Sequence, residues 1–240
     1  MENRKLYIFG ASGHGKVVAE LVASTYSKIE AMIDDAPKTA SFGQVPILNT
    51  MSIVPPKSDV AMIIAVGNNL IRKKISSRFS NYNFFTSIHK TAFVSPSATV
   101  GLGTVVMVHA IINSDAKIGN HVIINTAALI EHDCSIADFV HISPKVTLSG
   151  NVSIGLGSHL GSGVIVIPGI KIGKWCTIGA GSVVINDIPD GATVVGNPGK
   201  IIEYTTILEP SVTSEKILKK KKVIKINSDY RKFNTYKSIK

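Results

Sequence analysis

Cysteine is scarce in this 240-residue sequence, and long apolar runs are missing. Two cysteines, Cys134 and Cys176, cannot form a disulfide framework, so we expect a cytoplasmic location in a reducing environment. No apolar stretch reaches the roughly 18–20 residues needed to span a bilayer. The N-terminal run KLYIFG ends at a glycine turn, which predicts a buried first strand and not a signal peptide. These absences argue against disulfide-rich secreted proteins and membrane-spanning proteins.

Charged residues make up only 18% of the chain, and they are unevenly distributed. The net charge is +10, yet from Glu203 onward ten Lys or Arg stand against four acids and supply +6 of it. The basic balance therefore describes the tail, and we expect no nucleic-acid binding by the rest of the chain. A solvated tail is favoured over one that contacts a membrane surface or nucleic acid. Its segment KILKKKKVIKI is also compatible with an added strand or helix.

A period of six residues governs the chain from Val94 to Val184, where every sixth residue is aliphatic through sixteen hexads. The position four residues later is usually small or β-branched, and both cysteines occupy it, which predicts that they are buried packing residues. This period does not match a helix, whereas it fits short strands joined by tight turns. Such repeats resemble those of the hexapeptide acyltransferase superfamily, in which three hexads form one triangular coil of a left-handed parallel β-helix. The likeness implies a little over five coils here.

The first 88 residues have a different pattern, in which apolar runs alternate with helical segments. KLYIFG, IEAMIDD and DVAMIIAVGNN predict strands, and HGKVVAELVAS and LIRKKISSRF predict helices. This alternation predicts a small Rossmann-like parallel α/β sheet. The fold class expected for the whole chain is therefore an α/β N-terminal domain followed by a left-handed parallel β-helix of hexapeptide repeats.

A glycine-rich loop, GASGHG at residues 10–15, joins the first strand to the first helix. It lacks the full G-x-G-x-x-G fingerprint, but its N–H groups at a helix N-terminus suit a phosphate. Asp34 and Asp35 follow about twenty residues later, where an acid can meet a ribose or a base edge. The loop argues against NAD and favours the diphosphate of a nucleotide sugar. A glycine turn with solvated acids is the alternative.

Five segments, in the same order across both regions, resemble the bacterial sugar acetyltransferases that act on nucleotide-linked amino sugars or sialic acid. They are YIFGASGHGKVV, IAVGNNLIRKKI, IHKTAFVSPSATV, INTAALIEHDCSIADFVHISP and VVGNPGKII. The resemblance extends to the UDP-4-amino-sugar N-acetyltransferases of the UDP-N,N′-diacetylbacillosamine pathway. It implies a nucleotide-sugar-binding domain at 1–88, a β-helix acetyltransferase domain at 89–202 and a basic C-terminal extension at 203–240. It also implies acetyl-CoA as co-substrate, no metal, and a homotrimer with active sites at subunit interfaces.

The segment IEHDCS places Glu131, His132 and Asp133 together inside the repeat. His132 is two residues after an inward aliphatic residue, a non-core position near a corner of the coil. An imidazole beside a carboxylate suits removal of the proton of an attacking amine near neutral pH. By resemblance, His132 is the general base and Asp133 the acid that raises its basicity. Relatives can carry Glu in the latter place, and Glu131 is the alternative partner.

The resemblance assigns further residues to the two ligands. The substrate-binding positions are Ser12, Gly13, His14, Asp34, Asp35 and Gly67, and the acetyl-CoA positions are His141, Ser162 and Ala180. Gly150, one coil beyond His132, is a candidate donor to the acetyl oxygen. His141 and His159 are eighteen residues apart, so we expect them to stack on successive coils. His89, His109 and His121 are expected on the surface without a role.

Three other functions compete with N-acetyl transfer in bacterial glycan biosynthesis. O-acetylation of sialic acid or of another sugar hydroxyl needs the same base, so the sequence separates it poorly from N-acetylation. A metal enzyme of the carbonic anhydrase type would need zinc held by His132, His141 and His159. A non-catalytic nucleotide-sugar-binding scaffold would use the basic tail to recruit a partner.

Overall fold

The computed structural model describes residues 5–25, 28–49 and 60–205. The predictions made for the basic tail beyond Thr205 therefore lie outside the described residues. In the part of the chain that is described, neither helix is long and apolar enough to cross a membrane.

The N-terminal region is the α/β sheet that the sequence predicts. Its elements are β1 Lys5–Phe9, α1 Gly13–Thr25, β2 Ile29–Asp34, β3 Ser41–Phe42, β4 Val45–Asn49, β5 Val60–Ile64, α2 Asn69–Arg78 and β6 Asn83–Phe84. The strand order is β3-β4-β2-β1-β5-β6, and every pair is parallel except β3 with β4. Strands β3, β4 and β6 were not predicted, because β3 and β6 have only two residues each and Pro46 interrupts the apolar residues of β4. Alternate residues of β1 pack on opposite sides, Ile8 in the core with α1 and Phe9 in the core with Phe79, which follows α2.

The repeat region forms a ladder of seventeen two-residue strands. They are β7 Ser87–Ile88, β8 Phe93–Val94, β9 Thr99–Val100, β10 Val105–Val106, β11 Ile111–Ile112, β12 Lys117–Ile118, β13 Ile123–Ile124, β14 Leu129–Ile130, β15 Ser135–Ile136, β16 His141–Ile142, β17 Thr147–Leu148, β18 Ser153–Ile154, β19 His159–Leu160, β20 Ile165–Val166, β21 Lys171–Ile172, β22 Thr177–Ile178 and β23 Val183–Val184. The antiparallel pair β24 Ala192–Val195 and β25 Lys200–Tyr204 follows. Successive strands belong to three sheets in turn, and each strand from β7 to β20 pairs in parallel with the strand eighteen residues later. This is the parallel β-helix predicted from the period of six.

The second residue of most of these strands points into the coil and is buried, as Ile112, Ile130 and Leu148 show. Cys134 and Cys176 are free thiols in the same core and are each 1% exposed, which confirms the packing role expected for them. Large and small inward side chains therefore alternate around each coil. Burial of this stack supplies the main driving force for the ladder.

The three faces of the β-helix differ in what their outward residues expose. The covered face (β7, β10, β13, β16, β19 and β22) buries Val105 and Ile123 in the same core as α1. The apolar face (β8, β11, β14, β17, β20 and β23) leaves Phe93 54% and Ile165 44% exposed. The polar face (β9, β12, β15, β18 and β21) presents Thr99, Lys117, Ser135, Ser153 and Lys171. The N-terminal domain therefore packs on one face and leaves an apolar one open.

One histidine expected on the surface lies inside the structure. His121 is only 6% exposed, stacked on Phe139 with ring centroids 5.1 Å apart and edge-on to Phe84. The expectation was wrong because docking of the N-terminal domain covers this turn, and a local period cannot show that. His109, by contrast, is exposed.

Candidate active site

His132 lies in the turn after β14, on the edge between the apolar and polar faces, and its side chain is 62% exposed. Its Nδ1 is 2.8 Å from Asp133 Oδ2. A carboxylate only accepts, so Nδ1 carries the proton and donates it to Asp133. In the neutral imidazole, Nε2 is then left with its lone pair, as a general base requires.

The structure decides which carboxylate partners His132. Asp133 occupies the left-handed position of the turn, with φ of 61°, which suits its short side chain. Glu131 Oε2 instead accepts a hydrogen bond from Asn113 Nδ2 at 2.9 Å. The hydrogen bond to Asp133 is the main reason that the pKa of His132 lies above its usual value, and the charge of Glu131 adds to it.

Gly150 stacks directly on His132, one coil further along. A Cβ placed on Gly150 would lie 2.6 Å from His132 Cε1 and Nε2, so the ring occupies space that only glycine leaves free. Among the described residues, the Gly150 N–H has no hydrogen-bond acceptor. The unpartnered N–H of Gly150 therefore belongs to the turn on which the His132 ring stacks. Its role as a donor to the acetyl oxygen stays a prediction.

A second group of histidines lies on the covered face. The rings of His141 and His159 stack with centroids 4.7 Å apart, which confirms the expected pairing on successive coils. The ring of His14, from the glycine loop, is 6.2 Å from that of His141. His141 Nδ1 donates to the Gly67 carbonyl at 3.3 Å. The loop, Gly67 and His141 therefore form one region.

Burial lowers the pKa values of these histidines, whereas the pKa of His132 is raised. Desolvation, followed by the charge of Arg72, lowers the pKa of His14 to about 4. Desolvation, with His159 and Arg72 as further causes, lowers the pKa of His141 to about 3. The pKa of His159 is also lowered, mainly by burial. All three are neutral near pH 7, so they can donate or accept hydrogen bonds without carrying charge.

The glycine loop is held by the end of β2. Asp34 Oδ2 accepts from the Ala11 N–H and Oδ1 from the Ala36 N–H, both at 2.9 Å. A Cβ on Gly13, the first residue of α1, would contact nothing within 4 Å, so the helix N-terminus is open there. Asp35 is exposed and pairs with Arg78 at 3.0 Å. Asp34 thus shapes the loop, while Asp35 is paired across to α2.

The predicted site residues fall into two separate regions of one chain. His132 and Gly150 lie on the edge between the apolar and polar faces, after strands β14 and β17. Ser162 and Ala180 follow β19 and β22, on the edge between the covered and apolar faces, and His141 lies on the covered face itself. In a triangular coil, the edge with His132 is opposite the covered face.

Several residues near the covered face were not predicted as part of a site. A recess of about 320 Å³ adjoins the histidine group, lined by Gly67, Asn68, Asn69, Leu70, Gly157, His159, Trp175, Cys176, Thr177 and Thr205. Trp175 lies against Gly157 with Lys73 Nζ 5.4 Å from its ring centroid. The sequence did offer a signal for Trp175. It is the only tryptophan of the chain and stands eighteen residues after Gly157, so the repeat stacks the two residues on successive coils.

No group of three or more His, Cys, Asp or Glu side chains within residues 5–25, 28–49 and 60–205 is arranged to hold a metal ion. His132 lies on the edge opposite the face that carries His141 and His159, as the strand order shows. The zinc site proposed in the competing reading would need these three side chains together.

Sequence comparison finds a matching family model and a curated relative. Residues 5–79 match the PglD N-terminal domain. The UDP-N-acetylbacillosamine N-acetyltransferase of Bacillus subtilis is 46% identical over 116 residues, which cover 43% of this chain and 51% of that protein. The match therefore spans about half the length of this curated relative.

Solved structures extend the likeness over the whole length of the neighbours. The acetyltransferase domain of PglB from Neisseria gonorrhoeae is 41% identical with a TM-score of 0.77, covers 83% of this chain and 100% of that one, and has also been solved with acetyl coenzyme A. A perosamine N-acetyltransferase from Caulobacter crescentus, solved with CoA and GDP-perosamine, is 34% identical with a TM-score of 0.79 and coverages of 83% and 97%. With a glycine-loop α/β domain packed on a hexapeptide β-helix that carries an exposed His–Asp pair, the chain belongs to the family of hexapeptide-repeat sugar N-acetyltransferases.

Proposed function

We propose that the protein transfers the acetyl group of acetyl-CoA to the amino group of a nucleotide-linked amino-dideoxy sugar, with UDP as the favoured nucleotide, in bacterial glycan biosynthesis. The observation that carries this proposal is the His132–Asp133 pair, in which Nδ1–H is bound at 2.8 Å and Nε2 is left as a base on an exposed edge. The named activity of the relatives supports the same reaction.

In this reaction the neutral amine of the sugar attacks the thioester carbonyl carbon, and His132 Nε2 takes the proton that the nitrogen loses. The N–H of Gly150, which has no acceptor among the described residues, is the proposed donor to the oxyanion of the tetrahedral intermediate. Collapse of the intermediate breaks the carbon–sulfur bond, and the imidazolium returns its proton to the leaving thiolate. Asp133 stabilises the imidazolium during the transfer, because it accepts the hydrogen bond from Nδ1–H throughout and its charge is opposite to that of the ring.

An amine acceptor is favoured over a hydroxyl by the charge of the edge that carries His132. Glu131 and Asp133 flank the histidine, and Asp115 is one coil before Asp133 in the same turn position. An amino sugar is largely an ammonium ion in solution, which such an edge attracts and a neutral hydroxyl does not exploit. It releases one proton to solvent before the neutral amine attacks. O-acetylation therefore has no observation of this kind in its favour.

The nucleotide-sugar is assigned to the region of the glycine loop. The open helix N-terminus at Gly13 suits a phosphate, and neutral His14 can hydrogen-bond to it or to the sugar. The proposed contact residues are Ser12, Gly13, His14, Asp34, Asp35 and Gly67. His141, Ser162 and Ala180 are proposed to contact acetyl-CoA along the covered face and its neighbouring edge.

A homotrimer brings the two regions together. The apolar face is bounded on one side by the edge of Ser162 and Ala180, and on the other by the edge of His132. Threefold, head-to-tail packing of apolar faces would hide Phe93 and Ile165 and would set the first edge of one chain against the second edge of its neighbour. Each site would then combine two chains. We also propose a cytoplasmic location, in keeping with the two free thiols.

The test measures release of CoA thiol from acetyl-CoA with a UDP-4-amino-4,6-dideoxy sugar or CMP-sialic acid as acceptor. We expect release with the amino sugar, an acetamide product by mass spectrometry, and a loss of at least about a hundredfold in His132→Ala. Activity with sialic acid alone would move the acceptor from an amine to a hydroxyl. Binding of UDP without thiol release from either acceptor would favour the non-catalytic scaffold.

A further inference from the structure

Arg72 in α2 is a buried cation without an acidic partner. It is 1% exposed, and no carboxylate among the described residues forms an ion pair with it. Desolvation accordingly lowers the pKa of the guanidinium to about 9. A buried charge of this kind is destabilising unless every N–H donor has an acceptor. The acceptors of Arg72 therefore indicate its role.

All five N–H groups of Arg72 have an oxygen acceptor. Nε donates to His121 O at 2.8 Å, and Nη2 donates to Phe139 O and to Asn69 Oδ1, both at 2.8 Å. Nη1 donates to Val66 O at 2.9 Å and to Gly67 O at 3.3 Å. Nη2 also has Val140 O at 3.4 Å, so three of the acceptors belong to the N-terminal domain and three to the β-helix.

The acceptors on the β-helix form a column. His121, Phe139 and Gly157 occupy the same turn position on three successive coils, and within the described residues their carbonyls accept no backbone hydrogen bond. Arg72 binds the first two, and Asn69 Nδ2 donates to Gly157 O at 2.9 Å and to Ser158 O at 3.2 Å. The start of α2 thus fixes the N-terminal domain in register with three coils.

The Gly67 carbonyl links this column to the site. It accepts from Arg72 Nη1 and also from His141 Nδ1. Because a carbonyl only accepts, the second bond keeps the proton of His141 on Nδ1 and leaves Nε2 as an acceptor, 3.4 Å from Asn125 Nδ2. Movement of Gly67 would therefore change both the tautomer and the position of His141.

We propose that Arg72 is a positioning residue, which holds Gly67 of the nucleotide-sugar region in register with His141 on the β-helix. Asn69 supports it by binding both Arg72 and the third coil. The expected change in kcat/KM rests on the proposed function. The effect of Arg72 on His141 is tested by a spectrum that needs no catalytic turnover.

The test compares Arg72→Lys, His141→Asn and the double variant, with Lys74→Met as the control. Lysine keeps the charge and loses the planar fork, so it cannot satisfy the acceptors in both domains. Lys74 is an exposed cation of the same helix, two residues further along. Measurements are kcat/KM for thiol release, UDP affinity by calorimetry, and the imidazole ¹⁵N spectrum, in which His141→Asn assigns the His141 signals.

We expect Arg72→Lys to lower kcat/KM roughly 10- to 100-fold, and the effects of the two substitutions to be non-additive in the double variant. UDP affinity should change less than about threefold, because Asp34 holds the glycine loop within the N-terminal domain. The ¹⁵N spectrum should show loss of the Nδ1-protonated tautomer of His141. Lys74→Met should match wild type in all three.

Two results would overturn the proposal. One is an unchanged kcat/KM and His141 spectrum with only a lower melting temperature, which would leave Arg72 a purely structural contact. The other is strict additivity with His141→Asn. If Arg72→Lys does not fold, Asn69→Ala gives the same test with a smaller expected effect. If wild type releases no thiol with any acceptor, the proposed function fails, while the ¹⁵N spectrum still decides the role of Arg72.

Discussion

His132 and His141 belong to the same repeat but differ in pKa in opposite directions. His132 is exposed and bonded to Asp133, so its pKa is raised. His141 is covered by the docked N-terminal domain, which contributes His14 beside it, and the pKa values of His14 and His141 are lowered to about 4 and about 3. The comparison teaches that position on the coil decides the role: an edge exposed to solvent provides a base, and a covered face provides neutral hydrogen-bonding groups.

The largest expected effect comes from mixing variants of the two regions. His132→Ala and His141→Asn are each expected to lose about a hundredfold in activity, which leaves a measurable rate. When co-expressed in equal amounts they should regain roughly a quarter of wild-type activity, since one in four interfaces of a mixed trimer would carry both intact regions. Thiol release by the purified mixture measures this. Activity no greater than the sum of the two separate variants would place the whole site within one chain.

A substitution at Gly150 should disturb the exposed region alone. The added Cβ of Gly150→Ala would overlap the His132 ring, whose Cε1 and Nε2 lie 2.6 Å from that position. Displacement of the ring by about 1 Å should cost on the order of 10- to 100-fold in kcat. The melting temperature of Gly150→Ala, compared with that of wild type, separates displacement of the ring from a general loss of stability. Equal kcat values for wild type and Gly150→Ala would show that the ring position is not critical.

The pH dependence distinguishes Asp133 from Glu131. Because Asp133 raises the pKa of His132, Asp133→Asn should move the acid limb of the kcat/KM profile to lower pH, with about a tenfold lower plateau from the weaker base. Glu131→Gln should shift that limb less, since Glu131 acts only through its charge. Initial rates between about pH 5 and 9 measure both. A larger shift in Glu131→Gln would reverse the assignment.

The smallest effect concerns acid stability. Burial, with the charge of Arg72 and against that of Asp138, lowers the pKa of His121 to about 4. Between the unfolded value near 6.5 and this value, the unfolded state binds more protons, so the folded state loses stability as pH falls. His121→Phe should reduce the drop in melting temperature between pH 7 and pH 4.5 by a few degrees. Calorimetry at the two pH values measures it, and an equal drop in both proteins would contradict a buried neutral His121.

Much of the architecture follows from local sequence patterns. The period of six gave the inward positions, the cysteines included, and the interval of eighteen gave the stacking of His141 on His159. His132 and Asp133 stood out because charged residues interrupt an apolar repeat. The interval of eighteen also predicts that His132 and His141 lie on different sides of the coil, because nine residues, half a coil, separate them.

The sequence by itself determined the β-helix, its inward residues and the base on an exposed turn, since each depends on neighbours within one coil. Only the tertiary structure decided which face the N-terminal domain covers, and hence the burial of His121, the neutral state of His141 and the contacts of Arg72. It also decided that Asp133 and not Glu131 binds His132. The physical reason is that burial and side-chain pairing depend on groups far apart in the chain, such as α2 and the turn carbonyls, whereas the repeat is a local property.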